Sequence, residues 1–332
     1  MEKKVEQELN EISLVDEDVL SPDCDIDAEE FEWVGQDEEK MQAIGRPSVS
    51  FWKDAFNRIR KDKVAMTIII FLIVLGTLSV AVPMFSPYTI SEQHIEHTHA
   101  GLFYNAGDHM HIFGTDDLGR DQFTRIFYGA RISLTIALAA VFINVIVGVI
   151  YGGISGYFGG LADNIMMRVV EIINGIPYLL IIILLSLVME KGVMTIIFAY
   201  SLVGWVGTAR LVRGEVIRLK EQEFVISAKS MGASPTRIIA KHLVPNTLSV
   251  VIVNLTLAIP NAIFTEAFLS YIGLGVPVPL ASMGTLANNG SQFFQQYPIE
   301  LVIPALFISL TMLSFNLLGD KLRDAFDPKL RR

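Results

Sequence analysis

The sequence predicts an all-α integral membrane protein with six transmembrane helices. Three observations carry that prediction. Of 332 residues, 52% are hydrophobic and only 18% charged, with a mean hydropathy of +0.46; soluble globular chains carry about a quarter charged residues. Six stretches of 17 to 22 residues contain no Asp, Glu, Lys, Arg or His. Lys and Arg gather at one set of span ends, as the positive-inside rule requires. One long core helix can mimic a membrane span, but six in one chain cannot. The composition also excludes a disordered chain, a collagen repeat and a disulfide scaffold. The single cysteine, Cys24, has no partner for an internal bridge.

In chain order, the first element is an acidic tail. Residues 1–42 hold 16 Asp or Glu against 3 Lys or Arg, whereas the remainder holds 19 against 23. Clustered like charge with little apolar surface predicts a disordered cytoplasmic segment over 1–45, with Phe31 and Trp33 as candidate partner anchors. No apolar h-region falls in the first thirty residues, so no signal peptide is expected. In segment 46–63, Phe51, Trp52, Ala55, Phe56 and Ile59 recur at helical spacing among Lys and Arg. A helix lying in the interface plane and the first turn of a longer span both fit.

The charge-free stretches are 64–85, 132–151, 172–189, 193–209, 243–264 and 301–318. A hydrocarbon core about 30 Å thick needs around 20 apolar residues at 1.5 Å each, so the third and fourth are short and extend through flanking residues, for example upstream into 165–170. Between them, Glu190, Lys191 and Gly192 suit a tight turn. Cations cluster before the first span, between spans four and five, and after the last. The 86–131 region has three cations against six acids, and 265–298 has none. Both termini are therefore expected in the cytoplasm, with 86–131 and 265–298 outside. A transmembrane domain of five helices is expected over 132–320 and a cytoplasmic tail over 321–332.

The loop 210–242 is too polar to cross and too patterned for a linker. Residues 222–231 read as a short helix, with Phe224, Ala228 and Met231 at i, i+4 and i+7 forming one apolar stripe. Gly232 stands where a left-handed residue ends a helix. Ser234 and Pro235 restart one as N-cap and first helical residue. Such a helix either packs on its own bundle or docks into a groove on another protein.

EFVISAKSMGASPTRIIAKHLVPN in this loop resembles the E-A-A…G signature of permease subunits of bacterial ATP-binding-cassette importers, with Ala228, Gly232 and Pro245 at its spacing. Ile226 and Ser227 stand where the signature usually has Glu and Ala, with Glu223 one turn earlier. FGTDDLGRDQFTRIFYGARISL resembles the G-T-D-x-L-G-R-D…Y-G-A-R-x-S-L block of the oligopeptide/dipeptide branch. SFWKDAFNRIRKDKVAM, GYFGGLADNIMMRVVEIINGIP and FLSYIGLGVPVPLASMGTLANNG resemble other segments of that branch, so the likeness spans roughly 50–325. It implies a type I importer bundle in the bacterial cell membrane. It also implies half of a peptide pore, paired with a second homologous permease, two ATPases and an extracytoplasmic binding protein. ATP and Mg would be bound by the ATPases. This chain has no Walker A pattern, and the resemblance implies no catalytic residue and no cofactor of its own. The partners expected are those subunits, a peptide substrate and the lipid bilayer, with no nucleic acid.

Under that resemblance the docking residues are Glu223, Phe224, Ala228, Met231 and Gly232. The outward motif is Gly114, Thr115, Asp116, Gly119, Arg120 and Asp121, either a contact for the binding protein or an internal ion-pair lock. Asn144, Asn254, Asn261 and Asn316 lie in spans and are candidates for pore lining or helix–helix bonds. Five of the six histidines crowd into 94–111: His94, His97, His99, His109 and His111. Imidazoles ligate Zn, Ni or Cu, and the branch includes nickel importers, but this spacing matches no closed structural site. A solvated histidine-rich loop without metal is the expectation, with His94, His97, His99 and His109 as the ligand set otherwise. A nickel or small-solute importer is the alternative substrate class. A stand-alone secondary transporter should show inverted repeats or mid-membrane charges, and a haem-bearing membrane enzyme should show histidines within spans. Neither pattern is present.

Overall fold

Local chemistry sets the helix ends in the computed structural model, which describes residues 51–327 apart from Asp108. The acidic tail and residues 328–332 lie outside the described residues. Helix α1, Phe51–Lys61, is separate from α2, Lys63–Phe85. Asp62 divides them: its side chain accepts from the backbone N–H groups of Val64 and Ala65 at 2.8 and 3.1 Å and caps α2. The same carboxylate takes a 2.9 Å contact from Lys321 Nζ near the chain's end. That bond holds the Asp62 carboxyl below the usual carboxylate range. Its contribution to stability is present above the ordinary pKa of about 3.9 and lost as pH falls through the lowered value.

After a segment holding one two-stranded hairpin, Tyr104–Asn105 with Met110–His111, α3 runs unbroken over Gln122–Phe158, 37 residues. Helix α4, Gly160–Gly175, and α5, Tyr178–Val188, follow. Then come α6, Val193–Leu219, and the short α7, Glu223–Ser230. Helix α8, Pro235–Ile238, passes through a π turn, Ile239–Leu243, into α9, Val244–Tyr271. The π turn lies just before Pro245, whose ring removes an N–H and crowds the preceding turn. Helices α10, Met283–Gln292, and α11, Ile299–Phe326, complete the described chain.

Among the described residues five helices are long and apolar enough to cross a membrane: α2, α3, α6, the continuous Pro235–Tyr271 helix and α11. The third expected span, 172–189, is not one straight helix. Helices α4 and α5 meet at a 76° bend and make a sixth span only when taken together. The cause is Pro177, which bars the α conformation from the residue before it; Ile176 is extended at φ −92°, ψ 130°. The other spans outrun their charge-free stretches, because helix formation continues where hydropathy stops.

The core lies along α3, α6 and α9, with Ala137, Ala140, Ile196, Ala199, Ile259 and Ile263 among its buried residues. Helix α6 is the most enclosed of the five, 56% of its apolar window being buried, against 17% in α2 and 11% in α11. Those outer helices keep apolar side chains on their surfaces, as lipid-facing helices do. Helix α3 reaches α6 through Gly148, Gly152 and Gly156, three glycines at helical spacing. A Cβ on any of them would collide with the backbone or side chains of α6 at Thr208, Ala209 or Arg213. Small residues at i and i+4 let two membrane helices approach closely. Gly152→Leu is therefore expected to lower stability by about 1–3 kcal/mol or more by overpacking, read as a fall in melting temperature in detergent. Gly76→Leu, on α2 with nothing within 4 Å of its Cβ position, is the control.

Candidate functional site

Helix α7 is built from local rules. Met231 closes it, and Gly232 follows at φ +79°. The Gly232 N–H donates to the Lys229 carbonyl at 3.0 Å and the Ala233 N–H to the Ala228 carbonyl at 3.1 Å. This paired pattern ends a helix on a left-handed residue. No atom lies within 4 Å of a Cβ built at Gly232, so the backbone angle is what favours glycine there. Ser234 then caps α8 by accepting from the Arg237 N–H at 3.4 Å.

The expected apolar stripe divides. Val225 and Ala228 are buried, and Val225 packs in a cluster with Val212, Val216, Ile238 and Leu243. Phe224 is 41% exposed, Ile226 54% and Met231 81%. The buried arc is centred between Val225 and Ala228. That leaves Phe224 at its edge and Met231, already past the helix end, outside. Glu223 is exposed in the first turn. The inner face anchors the helix, and the outer face presents an aromatic ring and two further apolar side chains at one end of the bundle.

At the foot of α7 a polar bond set joins three helices. Arg213 of α6 grips Asp163 of α4 through two 2.6 Å bonds, and Ser155 of α3 donates to the same carboxylate at 2.5 Å. Lys220 Nζ donates to the Gly156 carbonyl at 3.1 Å. The sequence carried no local signal for this set, since Asp163 and Arg213 stand 50 positions apart.

The 114–121 block closes the opposite end. Asp116 accepts from the N–H groups of Leu118 and Arg120 at 3.0 and 2.9 Å, and its Oδ2 pairs with Arg120 Nε at 2.7 Å. Arg125 adds a 3.6 Å contact to the same oxygen. Asp121 caps α3 through Thr124, accepting from its N–H at 2.8 Å and its hydroxyl at 2.7 Å, and meets His111 Nδ1 at 2.9 Å. The Thr115 hydroxyl donates to the His97 carbonyl and accepts from the Ala100 N–H at 2.9 Å. Gly114 and Gly119 turn at φ +77° and +71°. Asp116, Arg120, Asp121 and Arg125 are all 5% exposed or less. Its charged groups are thus bonded to one another inside the block. Leu118 and Asp117 are its outward-facing members.

The histidines separate. His99 stacks on Tyr297 at 4.0 Å and reaches Glu300 of α11 at 2.7 Å. His94, His97 and His111 gather near 6 Å from one another, with Tyr88 beside them, and His109 meets Tyr88 from another side. The set His94, His97, His99 and His109 is not brought together. Among the described residues no three His, Cys, Asp or Glu side chains are grouped to hold a metal ion.

The four asparagines also divide. Asn144 is buried against Gly204 of α6 with its Oδ1 unpartnered, whereas Asn254 of α9 accepts from Thr208 of α6 at 3.3 Å and bonds two helices. Asn261 and Asn316 are exposed on the bundle surface.

Similarity to known proteins gives the class of this helical membrane bundle. Residues 144–332 match the family described as binding-protein-dependent transport system inner membrane component. Residues 50–105 match the N-terminal TM domain of oligopeptide transport permease C. The dipeptide transport system permease protein DppC of Bacillus subtilis is 48% identical over 305 residues, covering 91% of this chain and 94% of that one. The oligopeptide transport system permease protein OppC of the same organism is 47% identical over 291 residues, covering 88% and 94%. OppC of Escherichia coli is 38% identical over 295 residues, covering 88% and 95%. The chain belongs to the binding-protein-dependent transport system inner membrane component family. It is a multi-pass, non-catalytic permease subunit of an ABC importer and needs no cofactor of its own. Family membership sets aside the stand-alone carrier and the membrane enzyme.

Proposed function

We propose that this chain forms half of a pore that imports oligopeptides or dipeptides across the bacterial cell membrane. The second half is a homologous permease. Two ATPase subunits bind ATP and Mg beneath the pair, one of them docking on α7, and an extracytoplasmic binding protein delivers peptide. The observation that carries the coupling role is the two-faced α7: Val225 and Ala228 tie it to the bundle, while Phe224, Ile226 and Met231 are left for a partner. Exposed aromatic and aliphatic side chains on an anchored helix are the chemistry of a helix-in-groove contact. ATP-driven movement of that partner then shifts the bundle between two states. The peptide assignment is supported by relatives named for dipeptide and oligopeptide transport.

Both termini and α7 lie in the cytoplasm, supported by the cations Lys53, Arg58, Arg60, Lys61 and Lys63 at one end and Lys321 and Arg323 at the other. Helix α1 lies along that interface. Exposed Asn261 and Asn316 line the pore wall that the second permease completes. The test is purification of the chain from mild detergent with mass spectrometry of what accompanies it. A second permease, an ATPase and a peptide-binding lipoprotein are expected, together with peptide uptake that stops on ATP depletion. Recovery of the chain alone, with uptake insensitive to ATP, would sink the proposal.

A further inference from the structure

Glu266 belongs neither to the α7 surface nor to the 114–121 block, yet it is 1% exposed. It lies near the end of α9 away from α7. Ser133 of α3 donates to its Oε2 at 2.5 Å and Ser270 to its Oε1 at 2.7 Å. Ser133 Oγ in turn accepts from the Met283 N–H, in the first turn of α10, at 3.2 Å. Ser282, the N-cap of α10, lies close by, and among the described residues no cation faces the carboxylate. Helix α10 begins directly over this group, with Gly284 against Ala267 and Gly129 of α3 against Ser282.

A carboxylate buried among hydroxyls alone is a costly way to join three elements. Apolar side chains would join them more cheaply, as they do one or two turns away at Ala137, Ala140, Ile259 and Ile263. What hydroxyl–carboxylate bonds permit, and apolar contacts do not, is exchange for water when the seam opens. We infer that Glu266 is a positioning residue for translocation: through Ser133 and the start of α10 it latches α10 onto α3 and α9 in the resting protein and releases it during the transport cycle. The inference rests on the permease reading only for the released state.

The test uses the assembled transporter in proteoliposomes. Cys24, the chain's single cysteine, is replaced by Ser, and Met283→Cys is introduced where the native side chain is 3% exposed. A membrane-impermeant maleimide is added and labelling of this chain is read by mass. Slow labelling is expected at rest and faster labelling during ATP-driven turnover. Glu266→Gln keeps the side-chain size and removes one acceptor. It is expected to raise the resting rate by about tenfold, the scale of one buried hydrogen bond, with co-purification of the other subunits unchanged. An unchanged resting rate overturns the inference, and so does a rate that turnover leaves alone. If Glu266→Gln does not assemble, Ser133→Ala is read the same way, and no rise there overturns it. Failure of the import reading shows separately, as missing partner subunits, and leaves the resting comparison intact.

Discussion

Asp116→Ala is expected to cost about 3–5 kcal/mol of stability, the range for breaking a buried ion pair. Arg120 and Arg125 are 5% and 3% exposed, and both would keep their charge with the shared carboxylate gone. The loss reaches further than two bonds, because Asp116 also accepts the Leu118 and Arg120 N–H groups that shape the turn ahead of Asp121 and α3. Asp117→Ala is the internal comparison. Its side chain is 32% exposed and meets Arg120 only at 3.5 Å, so a change of at most about 1 kcal/mol is expected. Thermal unfolding in detergent distinguishes them. Equal shifts for the two variants would mean that the block is not held by its buried pair.

The second large effect is on transport rather than stability. Phe224→Asp combined with Met231→Asp changes two exposed side chains and should leave the melting temperature alone. Apolar anchors at an interface are worth about 2 kcal/mol or more each when they act as hot spots. The pair should therefore reduce ATPase co-purification and ATP-dependent uptake by at least about 30-fold. Val225→Asp, at a position 3% exposed, is expected to do the reverse: it buries an unpaired charge and lowers stability first. Full uptake in the Phe224/Met231 double variant would remove α7 from the coupling role.

The spans were legible because lipid imposes a simple rule: a run long enough and free of charge. Their ends were not. Residues 122–131 contain Arg125 and Arg131 and are still helical, because Asp121 caps them and Arg125 finds Asp116. The bend in the third span had a visible signal, Pro177 after Gly175 and Ile176, but a count of charges does not see proline. On α7 the stop at Gly232 and the restart at Ser234 and Pro235 were readable, since both depend on neighbours in sequence. Which side faces inward was not, because periodicity finds a stripe without saying what covers it. The polar bonds that fix the ends of the bundle were the least legible. Glu266 and Ser133 are 133 positions apart, and His99 and Glu300 are 201 apart.

The 37 residues of α3 give a rod of roughly 55 Å at 1.5 Å per residue, against a hydrocarbon layer of about 30 Å. The helix is longer than that layer is thick. One tip is bolted to the 114–121 block, and the other to Asp163 and Lys220 beside α7. Such a rod cannot shorten, so a sideways push near one tip, with the other as pivot, turns into a swing. A swing of about 5° about one end carries the other by about 5 Å, on the same rise per residue. A displacement on that scale needs no helix to melt. One uninterrupted piece of secondary structure thus joins two polar anchorages more than a bilayer's thickness apart.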